Sequence, residues 1–579
     1  MARSFRIGPV AGAAALLLCA VIAAFGWLAL RVTTAGTHLT AMAQSGRDLM
    51  AAAEGGDTAA LTAAVRSVGD HARAAAAATG DPLWPVAEAM PLLGDDFGAV
   101  RTLSVQAAEL ADAVLDPLVG AAGDRSTAGA PDGQTLLALG RELNDAGAAV
   151  AVARHEVTQI RTGGLLPPLR AAAEQLREAL TLAVPTVDAL AAVASLGGAV
   201  ASDDDATVLV MLQNPAELRT GGGITGSFAL LQARAGRFTL IEQVDSTQFP
   251  ARATSILPVG PARTALYGDV VGRFVQNITM PTTFSESASL ARAWWAGRGG
   301  QAPDAVVSLD PLALRGLLAV TGPVDLPDGS MLTDDNLVER ILVEPYMRYD
   351  SDAQTAYLQA VTDALFGRIT DLPIDAFTWA RALADPVTAG RIAVWSADPA
   401  VQTVVEGSML DGPSGRIAAA GDDAFAVLFN DATGGKMGTF LHVDMELGVQ
   451  RCRGDGRAEI VARLTMSSSA PDPASLPPDM TGHGLFGTAV GDIGTSVSVS
   501  APEGTFFGGV TKDGEREISV DVVDAGRPTS LVRINLSPEE VNVVEFRFIA
   551  AEPGPLELAL VHTPLINPSA VTVAPAGCG

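Results

Sequence analysis

The residues best suited to chemistry gather around one glycine-rich loop. The stretch Gln213-Asn-Pro-Ala-Glu-Leu-Arg-Thr-Gly-Gly-Gly-Ile-Thr-Gly-Ser-Phe228 follows an apolar run, Val208 to Leu212, that reads as a buried strand. Three successive glycines, Gly221, Gly222 and Gly223, let backbone N–H groups converge, and a concavity of that kind binds an anion. Asn214 adds a neutral polar group beside them, and Arg219 on the rim adds a permanent cation whose planar donor fork suits phosphate. The plainer alternative is a glycine turn joining two strands, with Arg219 solvated. A second strand (Phe228 to Gln232), a turn at Ala235-Gly236 and a third strand (Phe238 to Val244) then lead to Asp245.

The surrounding elements must hold that loop. From 206 to 369 strands alternate with helical stretches: Val306 to Leu309 extended, Pro311 to Val320, Asp334 to Leu342 and Ala353 to Phe366 helical. This alternation predicts an α/β domain with helices covering a central sheet. Residues 33–201 are rich in Ala and Leu with helical period and predict a bundle of four to six helices, broken at Pro82, Pro85, Pro91, Pro167-Pro168 and Pro185. Residues 370–430 connect, with Ile392 to Trp395 a strand and Asp398 to Val405 a short helix. Over 431–579 the period switches to two, as in Ile460, Ala462, Leu464 and Met466, in Ile518, Val520 and Val522, and in Val544, Phe546 and Phe548. A β-sandwich-like domain is expected there. The fold class is therefore multidomain, α plus α/β plus β.

The 65 acidic and 38 basic residues leave a net charge of −27, which excludes nucleic acid as a partner. Val10 to Leu30 is apolar and uncharged, enough for one helix across a bilayer core of ~30 Å. Residues 1–32 thus predict a cytoplasmic tip and a transmembrane anchor, with Arg3 and Arg6 placing the N-terminus inside. The expectation is a single-pass protein of a bacterial plasma membrane, its bulk outside and the lipid bilayer a partner. Cys452 and Cys578 would then face an oxidising compartment and form a disulfide.

The phrases QNPAELRTGGGITGSF, SLDPLALRGLLAVTGPVDLPDG (Ser308 to Gly329) and GGKMGTFL (Gly434 to Leu441) resemble the bacterial envelope family known as domain of unknown function 4012. More distantly, the order of strand, Arg loop, strand, turn, strand and terminal Asp is similar to the LytR-CpsA-Psr transferases, which pass a glycan from a polyprenyl-pyrophosphate carrier to the cell wall. On that resemblance Arg219 matches the loop arginine, with Gly221 where an acid stands. Asp245 matches the strand-end Asp, and Tyr346-Met-Arg-Tyr-Asp350-Ser-Asp-Ala-Gln354 keeps Arg348, Asp350 and Gln354 while Ala353 replaces an arginine. It implies that Arg219, Arg348 and Asp350 are catalytic and that Asp245 and Asp350 hold Mg²⁺. Asn214, Arg219, the three glycines and Gln354 would bind ligand. A helix-start pair of solvated charges is the plainer account of Arg348 and Asp350.

Other chemistry has little foothold. Six scattered histidines show no metal-binding spacing, and neither a nucleophile elbow nor a phosphate-binding lysine loop occurs. Trp294-Trp295 reads as helix-to-sheet packing, with a sugar platform as the alternative. Together with the resemblance, the sequence implies a membrane-anchored envelope protein that binds a polyprenyl-phosphate-linked glycan or a related anionic precursor, with transfer to the cell wall as the stronger version of that reading. The alternative is a non-catalytic surface scaffold or sensor.

Overall fold

The computed structural model describes residues 9–55, 58–91, 93–115, 133–200, 205–234, 237–326, 328–370, 376–554 and 556–575. The chain forms two compact units, Met1–Pro131 with Arg141–Val187, and Asp132–Gly140 with Asp188–Gly579.

The first unit is built from α1 (Pro9–Gly55), α2 (Thr58–Thr79), α3 (Trp84–Glu88), α4 (Gly94–Leu110) and parts of α5 (Gly133–Thr158) and α6 (Pro167–Val200). Alanines allow α1 and α2 to approach closely: Ala35, Ala72 and Ala75 are fully buried. Leu103, Val150, Val157 and Leu180 form a second apolar cluster. Asp95 and Asp96 lie in the first turn of α4, where negative charge complements the helix dipole. The Asp96 carboxylate also accepts from the Leu166 amide at 2.9 Å. Pro82 and Pro91 do separate helices, whereas Pro85 lies in the first turn of α3, and α6 continues through position 185, where a break was expected.

The expected transmembrane anchor is corrected. Among the described residues no helix is long and apolar enough to cross a membrane. Val10 to Leu30 is instead part of α1, which runs on to Gly55; its side chains before Gly26 lie outside the described residues. Where they are described, the end of the stretch packs on protein. Leu28 is buried with Ala78, Trp84 and Ala87. Trp27 Nε1 and Arg31 Nε both donate to the Asp81 carboxylate, at 2.8 and 3.0 Å.

The second unit begins with a five-stranded sheet of order β3-β2-β1-β4-β7. Its strands are β1 (Ala206–Arg219), β2 (Gly222–Arg234), β3 (Arg237–Asp245), β4 (Ala305–Leu309) and β7 (Ile392–Ser396); β5 (Val324–Asp325) and β6 (Met331–Leu332) form a separate ladder. β1 pairs antiparallel with β2 and parallel with β4. Side-chain alternation gives the sheet two covered faces. Leu209 and Met211 meet Phe228, Trp294 and Trp295 on one face. Val208 and Val210 meet Ala229 and Leu231 on the other. The helix expected over Pro311 to Val320 is a 3-10 turn, Pro311–Ala313, followed by a helix over Leu314–Thr321. Asp334 to Leu342, expected as a helix, is capped by a π-helical turn over Glu339–Val343. Because Ile392–Ser396 is the fifth strand, the α/β sheet takes in part of the expected connecting segment.

The rest of the unit is a sandwich. One sheet, in the order β13-β12-β16-β10-β9-β18, contains β9 (Leu441–Gln450), β10 (Glu459–Ser468), β12 (Phe506–Lys512), β13 (Glu515–Glu517), β16 (Val541–Ile549) and β18 (Val571–Pro575). The other, β14-β15-β11-β8-β17, contains β8 (Ala424–Asp431), β11 (Ile493–Ser500), β14 (Val520–Asp524), β15 (Arg527–Leu536) and β17 (Ala559–His562). Ile460, Ala462, Leu464, Phe546 and Phe548 face its core as their period predicted. Ile518 does not: it is 90% exposed, between β13 and β14. The end of β1 enters this second core, where Leu218 is buried. Thr220 accepts from the Thr563 hydroxyl at 3.1 Å, and its amide donates to Asn430 at 3.0 Å.

Candidate functional site

A cavity of about 520 Å³ lies against the β1–β4 face of the sheet. Leu212 and Leu309, neighbours across the β1–β4 pairing, form part of its wall, with Leu317, Leu342, Leu358 and Leu365 from the covering helices. Toward the C-terminal end of β1 the lining turns polar: Asn214, Glu217, Asp245, Tyr346, Gln354 and Lys436. Open α/β sheets place ligands at such strand ends.

The polar residues form a connected set. The Lys436 ammonium lies 2.9 Å from the Glu217 carboxylate and 4.6 Å from the centroid of the Tyr346 ring. The Tyr346 hydroxyl accepts from Asn214 Nδ2 at 2.7 Å, and Asn214 Oδ1 accepts from the Ala216 amide at 3.0 Å. Burial pushes the Tyr346 hydroxyl up to about 12, so it stays protonated. Burial pulls the Lys436 ammonium down, but Glu217, Tyr346 and Asp479 outweigh it and hold the group above its ordinary value. Gln354 Nε2 is buried without a hydrogen-bond partner among the described residues, a donor available to a ligand.

The glycine loop is a tight hairpin, and its described amide bonds stay within the chain. Gly221 N donates to Thr279 O at 2.9 Å, and Gly223 N donates to Gln213 Oε1 at 3.0 Å. Gly222 has φ +133°, and a Cβ on Gly223 would lie 2.2 Å from the Asn214 carbonyl oxygen. The glycines therefore serve a sharp reversal and a close backbone approach.

Arg219 is not among the residues lining the cavity. Its Nε donates to Asn277 Oδ1 at 2.9 Å, and its Nη1 donates to the carbonyls of Leu218 and Asp431 at 2.7 and 3.4 Å. Burial lowers its pKa, with the Asp431 and Glu217 carboxylates pulling the other way. Burial in turn pushes the Asp431 carboxyl up to about 6, against the pull of Arg219. Asp431 keeps a little solvent contact, but the protein atoms packed around its carboxylate govern its proton affinity. Arg348 is exposed and pairs with Glu344 one turn earlier. Asp350 accepts from the Ala353 amide at 3.0 Å and starts the helix Ser351–Thr370.

Of the expected site residues, Asn214, Asp245 and Gln354 line the cavity; Arg219, Arg348, Asp350 and the three glycines do not. The two expected Mg²⁺ ligands, Asp245 and Asp350, are each engaged by neighbouring backbone. Asp245 accepts from the Thr247 amide and hydroxyl at 2.8 and 2.6 Å, while Asp350 caps a helix. Among the described residues no group of three or more His, Cys, Asp or Glu could hold a metal ion. Trp294 and Trp295 are buried against the sheet, 4% and 2% exposed, as the packing reading had it. Cys452 is a disulfide cysteine; Cys578, the partner expected for it, lies outside the described residues.

Sequence reasoning missed Lys436, Glu217 and Tyr346 as site residues. A signal existed: the chain has only two lysines, and Lys436 sits in the phrase GGKMGTFL. In a chain whose other cations are nearly all arginines, a lysine between glycines marks a position where a compact ammonium is wanted.

No curated protein and no solved structure matches the chain. The likeness to the LytR-CpsA-Psr transferases therefore has no counterpart in these comparisons. Residues 203–346, which carry β1 to β4, the glycine hairpin and Tyr346, match the model described as "Protein of unknown function (DUF4012)".

Proposed function

We propose that the second unit binds an amphiphile, with an apolar chain along the leucine-lined wall and a hydroxyl-rich head beside Asn214, Glu217, Tyr346 and Lys436. A lipid-linked glycan has this chemistry, and a polyprenyl-phosphate-linked glycan is its finer version. The observation that carries the reading is a single cavity with two chemistries. A half-open cleft of about 520 Å³ is of ligand size, and a purely structural interface between sheet and helices would be filled. Amide and carboxylate side chains suit sugar hydroxyls, and the buried Gln354 Nε2 lacks the acceptor that a ligand oxygen would supply.

Binding rather than turnover is the reading these residues support. The cation for a phosphate is Lys436, already paired with Glu217, whereas Arg219 is engaged by Asn277 and backbone carbonyls. The disulfide engagement of Cys452 supports an extracytoplasmic setting.

The test is extraction of the purified full chain with organic solvent, followed by mass spectrometry of the recovered lipids. A stoichiometric amphiphile with a sugar head, lost in Leu317→Trp (which fills the apolar wall), is the expected result. Recovery of no lipid above an unrelated control protein would sink the proposal and favour the scaffold reading.

A further inference from the structure

The opposite face of the sheet carries a second pocket with different chemistry. It measures about 360 Å³ and lies between the segment Phe249–Ile256 and the end of the helix Phe284–Ala296. Phe249 and Trp294 form its aromatic wall, and Arg252 and Arg298 flank it; no Asp or Glu lines it. That is unusual surface for a chain of net charge −27.

The two guanidinium groups are held by aromatic faces. Arg252 sits 5.8 Å from the Trp294 ring centroid. Arg298 sits 5.4 Å from the Phe249 centroid and 5.0 Å from that of Trp295. A guanidinium stacked in this way keeps its N–H edges for oxygen acceptors, which is the geometry that recognises carboxylate and phosphate. Arg298 gives one of those edges to Glu242 at 3.0 Å. No carboxylate is paired with Arg252 among the described residues. The backbone of the segment is fixed in advance: Arg252 N and O each bond to Arg273, both at 3.0 Å, and Ile256 N donates to Gly272 O at 3.0 Å.

A second observation concerns the wall residue Trp294. Trp294 is 4% exposed and lines the pocket, yet its Nε1 is buried without a hydrogen-bond partner. Buried donors normally have a partner, and an indole N–H can only donate. Two stacked cations and a tryptophan whose N–H lacks a partner thus line one preformed recess.

The geometry points to a binding site for an oxyanion, a carboxylate or phosphate carried on a small polar ligand such as an acidic sugar. Arg252 and Arg298 grip the anion and Trp294 forms the wall beside it. The site is separate from the amphiphile cavity and does not depend on that reading, because the two occupy opposite faces of the sheet.

The experiment is a titration of the full chain, labelled with ¹⁵N at its six indole groups, with sodium phosphate, sodium glucuronate and neutral glucose at constant ionic strength. Trp294→Phe identifies the Trp294 resonance. The expected result is a saturable shift of that resonance with at least one anion and none with glucose. Arg252→Gln and Arg298→Gln should each weaken the response by about 10-fold or more, as the loss of a charge-assisted bond does. Phosphate alone acting assigns the site to phosphoryl groups; glucuronate alone assigns it to acidic sugars. No saturable shift with either anion, or one unchanged in the double arginine variant of unaltered thermal midpoint, overturns the proposal.

Discussion

Lys436 and Glu217, 219 positions apart in the chain, meet at 2.9 Å, with side chains only 18% and 12% exposed. One comes from the loop that follows β8 and the other from β1, so the pair joins the sandwich to the sheet while it forms one wall of the cavity.

Removing one partner of this pair should be costly. Lys436→Met leaves Glu217 as an uncompensated, mostly buried charge, and the expected loss of stability is about 3 kcal/mol, the low end for a buried pair. The double variant Lys436→Met/Glu217→Leu should recover most of it. Urea melts of the two variants and the unaltered chain decide the matter, and equal destabilisation of the single and double variants would rule out the coupling.

Arg219→Ala should act oppositely on the two readouts. Its bonds to Asn277, Leu218 and Asp431 are internal, so the thermal midpoint should fall while amphiphile retention per folded molecule stays near that of the unaltered chain. A selective loss of ligand without loss of stability would return Arg219 to the binding site.

Asp431 should make stability depend on pH. Its folded pKa, about 6, is raised above the ordinary 3.8, with burial as the largest cause. A carboxyl raised in this way stabilises the fold below its unfolded pKa, and the contribution is lost as pH rises through the folded pKa. Stability should therefore decline between about pH 4 and about pH 6 on this group's account, and Asp431→Asn should flatten that limb. Denaturant midpoints at a series of pH values are the measurement; identical slopes for both proteins would exclude Asp431 as the cause.

If Cys452 is joined to Cys578, reduction should lower the midpoint of the second unit by the equivalent of about 2–4 kcal/mol. Alkylation without reductant followed by peptide mapping identifies the pairing, and two alkylated thiols would dismiss it.

The strands and most helices of the second unit were readable because their apolar periods are local. Val208 to Leu212 and Ile460 to Met466 announce their faces within a few residues. The site was readable only in part. Asn214, Asp245 and Gln354 lie in or near the motifs assigned to the site, but Lys436 sits in the separate phrase GGKMGTFL, and only the long-range packing of β1 on the sandwich brings it in. Arg219 misled for the complementary reason. An arginine beside three glycines looks solvent-facing and anion-seeking, but its true surroundings, Asn277 and Asp431, are 58 and 212 positions away. The apolar N-terminal stretch misled because composition does not reveal that a helix will run on past it.

Leu218 ties the fate of the two halves of the second unit together. Because this residue of β1 is buried in the sandwich core, a fragment confined to residues 203–346 would present an orphaned apolar side chain and a strand end with its anchoring partners cut away. The family segment is then a recognisable pattern but not an autonomous folding module, and the sheet and sandwich should melt in one cooperative transition. Expression of the isolated segment should give aggregation rather than a domain, and any surface display or fusion of the second unit has to carry it as an indivisible block.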